Sequence, residues 1–174
     1  KTMSELSMLD MKKAIFSVDI KSDKKIAGSK GIDEVRFLAS TNPGTPKAPI
    51  DKIASGGELS RFMLGFRAAL FDKEAKQTII FDEVDVGISG SVADVVGQRL
   101  KVLSGVAQVI VITHQPQVAG KAEQHILVKK TQTNTNTTIV AEYLDFEERS
   151  RELARMISGK EITINSVAAA KELM

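Results

Sequence analysis

The chain has 174 residues, enough for one domain with a buried core, and 43% hydrophobic with 26% charged residues is the composition of a folded globular protein, not a disordered one. A net charge of +2 is close to neutral, so a pI near 8.8 permits anionic partners without arguing for them. The absence of cysteine excludes a disulfide framework and a thiolate metal site and fits a reducing cytoplasm. No apolar run approaches the roughly 18 residues of a membrane span, so no membrane partner is expected, and the first residues hold no secretory apolar stretch with a cleavage site. The chain begins with lysine, not methionine, and is expected to be a fragment.

In chain order, SELSMLDM (4–11) reads as a short helix or a helix end, with Leu6, Met8 and Leu9 among charged neighbours. AIFSVDI alternates Phe16, Val18 and Ile20, and DEVRFLAS alternates Val35, Phe37 and Ala39. These are two strands across a polar, glycine-bearing loop (21–32), expected to pair antiparallel. TNPGTPKAP (41–49) carries three of the four prolines, so regular structure stops there. Leu59, Phe62, Met63, Phe66 and Leu70 then recur at helical spacing, one face of an amphipathic helix that starts after Gly57.

TIIFDE (78–83) reads as a buried strand ending in two carboxylates, 89–103 as a helix, VAQVIVIT (106–113) as a second buried strand and QHILVKK (124–130) as a third. TQTNTNTT (131–138) is a polar, hairpin-like connection into IVAEYLDF. Two helical patterns close the chain, one on Leu153, Met156 and Ile157, the other on Val167, Ala168 and Leu173. Strand–helix–strand order with uninterrupted apolar strands predicts an α/β fold, a mainly parallel sheet covered by helices, with a small antiparallel strand pair near the amino end.

Three stretches carry chemistry. Ligands of α/β sheets gather beyond the carboxyl ends of the strands, where TIIFDE delivers Asp82 and Glu83. Neighbouring strand residues point to opposite sides, so one acid can hold a metal ion through its water shell while the other activates water. The alternative is that Asp82 caps a turn and Glu83 is solvated. VIVITHQP ends a strand in Thr113 and His114, with Pro116 blocking its continuation; if the strands are neighbours, His114 shares that rim and can donate to a phosphate oxygen. Alternatively it caps the next helix. His125 has no such context and is read as structural.

The third stretch is ASGGELSR (54–61). Gly56 and Gly57 let backbone approach an anion at a helix start, and the Ser55 hydroxyl can add a donor. Ser55 and Glu58 also satisfy a plain capping box, which leaves two consecutive glycines unexplained. No G-x-x-x-x-G-K-[ST] loop, G-x-S-x-G elbow, H-E-x-x-H or EF-hand spacing occurs. A base, a metal carboxylate and an anion turn without a phosphate-holding loop argue against a hydrolase complete in this chain.

SGGELSR resembles the signature motif of ABC-type ATPases, TIIFDE their Walker B strand and VITHQP their switch-histidine strand, in the family's order and at compatible spacing. The wording of STNPGTP, ASGGELSR, FDEVDVGISG, THQPQVAGKAEQH and EERSRELARMISGKEIT is similar to the RecN family of SMC-like ATPases of bacterial double-strand-break repair, from about Asp33 onward. The resemblance implies that residues 13–174 are the carboxy-terminal lobe of an ATPase head, that 1–12 end a coiled-coil or linker helix, and that the P-loop lobe lies outside the chain. It implies ATP and Mg²⁺ as cofactors. Asp82 would bind Mg²⁺ through water, Glu83 would polarise the attacking water, and His114 would sense the γ-phosphate. Ser55, Gly56, Gly57 and Glu58 would contact ATP held by an opposing head, and Asp85, Gly87 and Ser89 would form a loop crossing the dimer interface. That loop, VDVGISG, departs from the SALD type of transporters.

The partners implied are the P-loop half, a second identical head and DNA ends or single-stranded regions, in the cytoplasm at the nucleoid. Two other readings stand beside this one: a non-catalytic DNA-binding or scaffold module using Lys24, Lys25, Lys30, Lys129 and Lys130, and the head of another ABC-type or SMC-like ATPase. Aromatic residues at 5% give the former no stacking platform.

Overall fold

The computed structural model describes residues 1–174 except 24, 26, 30, 42, 54, 71–77 and 133–135. Its elements are α1 (Thr2–Met8), β1 (Ile15–Ser22), β2 (Asp33–Ser40), β3 (Ala48–Pro49), a 3-10 turn (Ile50–Lys52), α2 (Gly56–Leu70), β4 (Thr78–Phe81), α3 (Gly90–Ser104), β5 (Gln108–Val111), α4 (Pro116–Ala119), β6 (Ile126–Gln132), β7 (Thr137–Tyr143), α5 (Phe146–Ser158) and α6 (Ile164–Leu173).

The expected amino-terminal pair forms: β1 and β2 run antiparallel from Ile15↔Ser40 to Ser22↔Asp33, with β3 added on β2. The mainly parallel sheet does not. Among the described residues only β4 and β5 pair parallel, while β6 and β7 form an antiparallel hairpin from Ile126↔Tyr143 to Gln132↔Thr137. The architecture is therefore α/β with mixed pairing. QHILVKK looks like a third buried strand because it is apolar, yet the polar run after it lets the chain reverse at once. A return strand seven residues long then captures its hydrogen bonds locally. Part of that turn, 133–135, lies outside the described residues, as do Ala54 and Asn42 of the quoted motifs and the lysines at 24 and 30.

β4 and β5 are also not buried on both faces. Ile79, Phe81, Val109 and Val111 pack with α3 through Val96, Leu100 and Leu103, whereas Ile80, Ile110 and Ile112 on the other face are exposed. Period-two alternation decides which residue meets the core; uniform hydrophobicity hides it.

α2 sits between two clusters. Phe62 is fully buried with Leu6, Met11, Ala14 and Ala39, and forms an aromatic group with Phe16, Phe37 and Phe66. Leu64 points into the β4–β5–α3 core beside Leu9 and Val84. The helical period read from Leu59, Phe62, Met63, Phe66 and Leu70 holds, but a helix wedged between two clusters buries a wider arc, and Leu70 at its end is 61% exposed. Removing Phe62 to alanine would cost about 3–5 kcal/mol. Ser55 begins α2, its carbonyl 2.9 Å from the Leu59 N–H and its Oγ 3.4 Å from the Glu58 N–H. Full capping boxes instead start α5 (Asp145, Glu148) and α6 (Thr163, Ser166), helices that pack on α4 through Ala119, Leu153, Ala154 and Ala170.

Candidate functional site

Because β4 and β5 are parallel with Phe81 opposite Val111, the segments that follow them leave at the same end, and the Ile112 N–H extends the pairing to the Phe81 carbonyl at 2.9 Å. The loop after β4 carries Asp82 to Ser89, and that after β5 carries Thr113, His114 and Gln115.

Asp85 joins them. Its carboxylate is 1% exposed, and Oδ2 accepts hydrogen bonds from Thr113 Oγ1, from the His114 N–H at 3.1 Å and from the Gln115 N–H at 3.2 Å. The His114 Nδ1 lies 3.5 Å from the same oxygen, while the rest of the imidazole remains open, its side chain 69% exposed. Gln115 adds a second tie, its Nε2 donating to the Ile88 carbonyl at 3.1 Å and standing 3.4 Å from His114 Nε2. An inward carboxylate thus holds three consecutive residues of one strand end against the other.

The start of α2 closes the third side. Asp82 and Glu83 are exposed, and Glu83 adopts φ +57°, the left-handed region uncommon for a residue with a Cβ. A Cβ on Gly56 would stand 2.5 Å from Glu83 Oε2; one on Gly57 would meet the Val86 carbonyl at 2.8 Å and the Glu83 carbonyl at 3.1 Å. Both glycines therefore have a reason inside the chain: a side chain at Gly56 would displace the Glu83 carboxylate, and one at Gly57 would push the helix start off the loop backbone. The first turn of a helix still offers backbone N–H groups without intrahelical acceptors, so this close packing and an anion contact are compatible.

Two residues of the same motif complete the contact. Ser60 Oγ donates to the Asp82 carbonyl at 2.7 Å, and Arg61 Nη1 to the Val86 carbonyl at 2.7 Å. The Arg61 guanidinium is pushed below its ordinary range by burial, with Glu58 and Asp10 opposing. The sequence reading passed over both. A signal was there: Arg61 lies on the helix face of Gly57, Leu64 and Gly65, where a charge is out of place unless it has an acceptor.

The site residues thus fall into three groups. Gly56, Gly57, Asp82, Glu83, Asp85 and His114 are brought to one rim. Ser55 and Glu58 are half-buried on the first turn of α2, and Gly87 and Ser89 lie exposed on the outer side of the loop, Gly87 at φ +76° and Ser89 as the extended residue before α3. Among the described residues no three acidic or imidazole side chains cluster as a metal cage. His125 lies apart, its carbonyl accepting the Leu144 N–H at 2.9 Å. Among the described residues, no helix is long and apolar enough to cross a membrane.

No protein-family model matches the chain. It is 61% identical over 170 residues to the DNA repair protein RecN of Rickettsia conorii, covering 98% of this chain and 31% of that protein. The RecN proteins of Vibrio cholerae and Halalkalibacterium halodurans are 45% and 39% identical over 173 residues, again with 31% of each covered. Among solved structures, the Smc head domain with a coiled coil and joint from Pyrococcus yayanosii aligns over 90% of this chain and 28% of that one, with TM-score 0.60 at 19% identity. The Smc head domain with an extended coiled coil from Pyrococcus furiosus, bound to the C-terminal domain of ScpA, aligns over 90% and 37% with TM-score 0.54 at 17% identity. The chain is homologous over nearly its whole length to bacterial RecN proteins, spans about 31% of their length, and shares its fold with Smc head domains.

Proposed function

We propose, from this homology to about a third of RecN, that the chain is the carboxy-terminal half of an SMC-like ATPase head acting in the recombinational repair of DNA double-strand breaks. Residues 13–174 form the lobe, and 1–12 end a coiled-coil or linker helix. The P-loop half of the head would hold the nucleotide, and a second head would face it. The observation that carries the reading is the common rim: Asp85 locks the ends of β4 and β5 together, so that Asp82, Glu83 and His114 border one space beside the first turn of α2.

The donor set suits the cofactors. Mg²⁺ takes oxygen ligands, keeps several waters and binds through one or two carboxylates plus phosphates, not through an all-protein cage. Asp82 is exposed and, among the described residues, belongs to no group of three metal-ligating side chains, which is compatible with that mode. Mg²⁺ held there would neutralise phosphate charge. Glu83, exposed at the rim, takes the proton of the attacking water. His114 turns its open imidazole face to the γ-phosphate, its backbone fixed by Asp85. Ser55, Gly56, Gly57 and Glu58 present the first turn of α2 to a nucleotide on the opposing head. Gly87 and Ser89 cross between heads, and Asp85 supports that loop from inside. ATP binding closes two heads around DNA ends or single-stranded regions, and hydrolysis releases them, in the cytoplasm at the nucleoid.

The test is ATP turnover by this chain alone and mixed with the separately produced P-loop half, with Glu83→Gln as control. Turnover only in the mixture, reduced about 10²–10⁴-fold by Glu83→Gln, is expected; activity in the chain alone, or a variant as fast as the parent, overturns the reading. No observation favours the scaffold alternative: of its lysines, Lys129 is paired with Glu142 at 2.7 Å.

A further inference from the structure

We propose that Ser60 and Arg61 are positioning residues for the Glu83 carboxylate, holding the loop that carries it by its two ends; this rests on the reading of Glu83 as the general base. The contacts are on either side of Glu83. Ser60 Oγ holds the carbonyl of the residue before it, Asp82, and Arg61 Nη1 holds the carbonyl of Val86, each at 2.7 Å. Gly56 and Gly57 lie one turn earlier on the same helix face, one against the Glu83 carboxylate and the other against the Glu83 and Val86 carbonyls. Four residues of one helix therefore meet three residues of one loop, Asp82, Glu83 and Val86.

Glu83 needs such support. A non-glycine residue in the left-handed region is strained and persists where its surroundings over-determine it. Without Ser60 and Arg61, the loop between Asp82 and Val86 is free to relax, and the carboxylate swings from its place beside Gly56. The chemistry of the two clamps is also selective. A hydroxyl and a guanidinium aimed at carbonyl oxygens fix the backbone while forming no ion pair with Glu83, which leaves its negative charge available for a proton. Arg61 holds this position although burial lowers the stability of its charge and its Nε has no hydrogen-bond partner among the described residues. The start of α2 and the base consequently move as one body, so a ligand that displaces Gly56 and Gly57 re-aims Glu83.

The experiment measures kcat and KM for ATP in the assembled ATPase, with this chain joined to its P-loop half. Ser60→Ala and Arg61→Ala are expected to lower kcat about ten- to a hundredfold, as misplacing a catalytic group does, with KM for ATP within twofold of the parent. Ser60→Thr and Arg61→Lys, which keep a donor, recover part of the rate. On a Glu83→Gln background the alanine substitutions cause no further loss, because there is no base left to position. Ser60 is part-exposed and gives up a single bond, so Ser60→Ala carries the test should Arg61→Ala fail to fold. Parent-like kcat in Ser60→Ala with a crippled Glu83→Gln removes this proposal alone, as do losses that multiply fully on the Glu83→Gln background. An unimpaired Glu83→Gln removes the assignment of the base and this proposal with it.

Discussion

Gly56 lies so close to Glu83 that a methyl group in place of its hydrogen would stand 2.5 Å from the carboxylate oxygen Oε2. The next glycine meets a different obstacle, backbone carbonyls of Val86 and Glu83 at 2.8 and 3.1 Å. The two substitutions therefore separate. In Gly56→Ala the end of a flexible side chain gives way, so the midpoint of unfolding changes little while ATP turnover by the assembled head falls at least tenfold. In Gly57→Ala the loop backbone must move, costing about 1–3 kcal/mol as overpacking does and lowering turnover as well. Denaturant titration and turnover on both variants check this; equal loss of stability in the two would refute the distinction.

Asp85 gives the second prediction. Its buried carboxylate accepts from three donors of the Thr113–Gln115 segment. Asparagine can set its one oxygen where Oδ2 receives all three donors, but as a neutral acceptor it holds them more weakly than the carboxylate does. Asp85→Asn should cost about 1–3 kcal/mol as charge-assisted bonds become neutral ones, and should loosen His114 at the rim. The unfolding free energy measures the first, and hydrogen exchange at the amides of His114 and Gln115 the second. A variant within 0.5 kcal/mol of the parent, about the range of surface changes, would mean that the junction is held elsewhere.

Much of the rim was legible because its determinants are local. A strand ending in Asp82 and Glu83 and another ending in His114 need only be parallel neighbours to share an end, and strand–helix–strand order predicts that. The clamps by Ser60 and Arg61 were not legible, since a serine and an arginine on a helix show no target until the loop folds against them. The inward turn of Asp85 was equally hidden: in VDVGISG it is one polar residue among several, and only tertiary contact separates it from the exposed Gly87 and Ser89. The hairpin β6–β7 was half legible: its polar, hairpin-like turn was visible, while QHILVKK reads as a third buried strand, because short apolar runs carry no signal of pairing direction.

His125 sets a pH dependence. Burial, and secondarily the Arg149 guanidinium, push its pKa below the ordinary 6.5, with Glu152 opposing. A folded-state value below the unfolded one means that the unfolded chain binds more protons. Stability from this group is complete above about 6.5 and declines as pH falls from there through the depressed value. Unfolding midpoints between pH 7.5 and 5 should therefore drop toward acid, and His125→Gln should flatten that slope. An equal slope in parent and variant would place the acid sensitivity on the carboxylates.

The β4–β5 pair has one apolar face packed on α3 and one bare, with Ile80 64%, Ile110 44% and Ile112 56% exposed. Ile80 pairs with Ile110, and Ile112 follows two residues on, so the three share one surface. Parallel sheets normally carry cover on both faces, and contiguous exposed apolar area drives association. The chain alone should therefore self-associate, its sedimentation coefficient rising with concentration. Ile80→Lys combined with Ile110→Lys should return it to monomer without loss of its far-ultraviolet circular dichroism, since neither side chain belongs to the packed clusters. Adding the P-loop half should suppress association by the parent chain in the same way if that half covers this face. A parent chain that sediments as a monomer at every concentration would mean that these isoleucines tolerate water, and that the bare face exerts no pull on a second lobe.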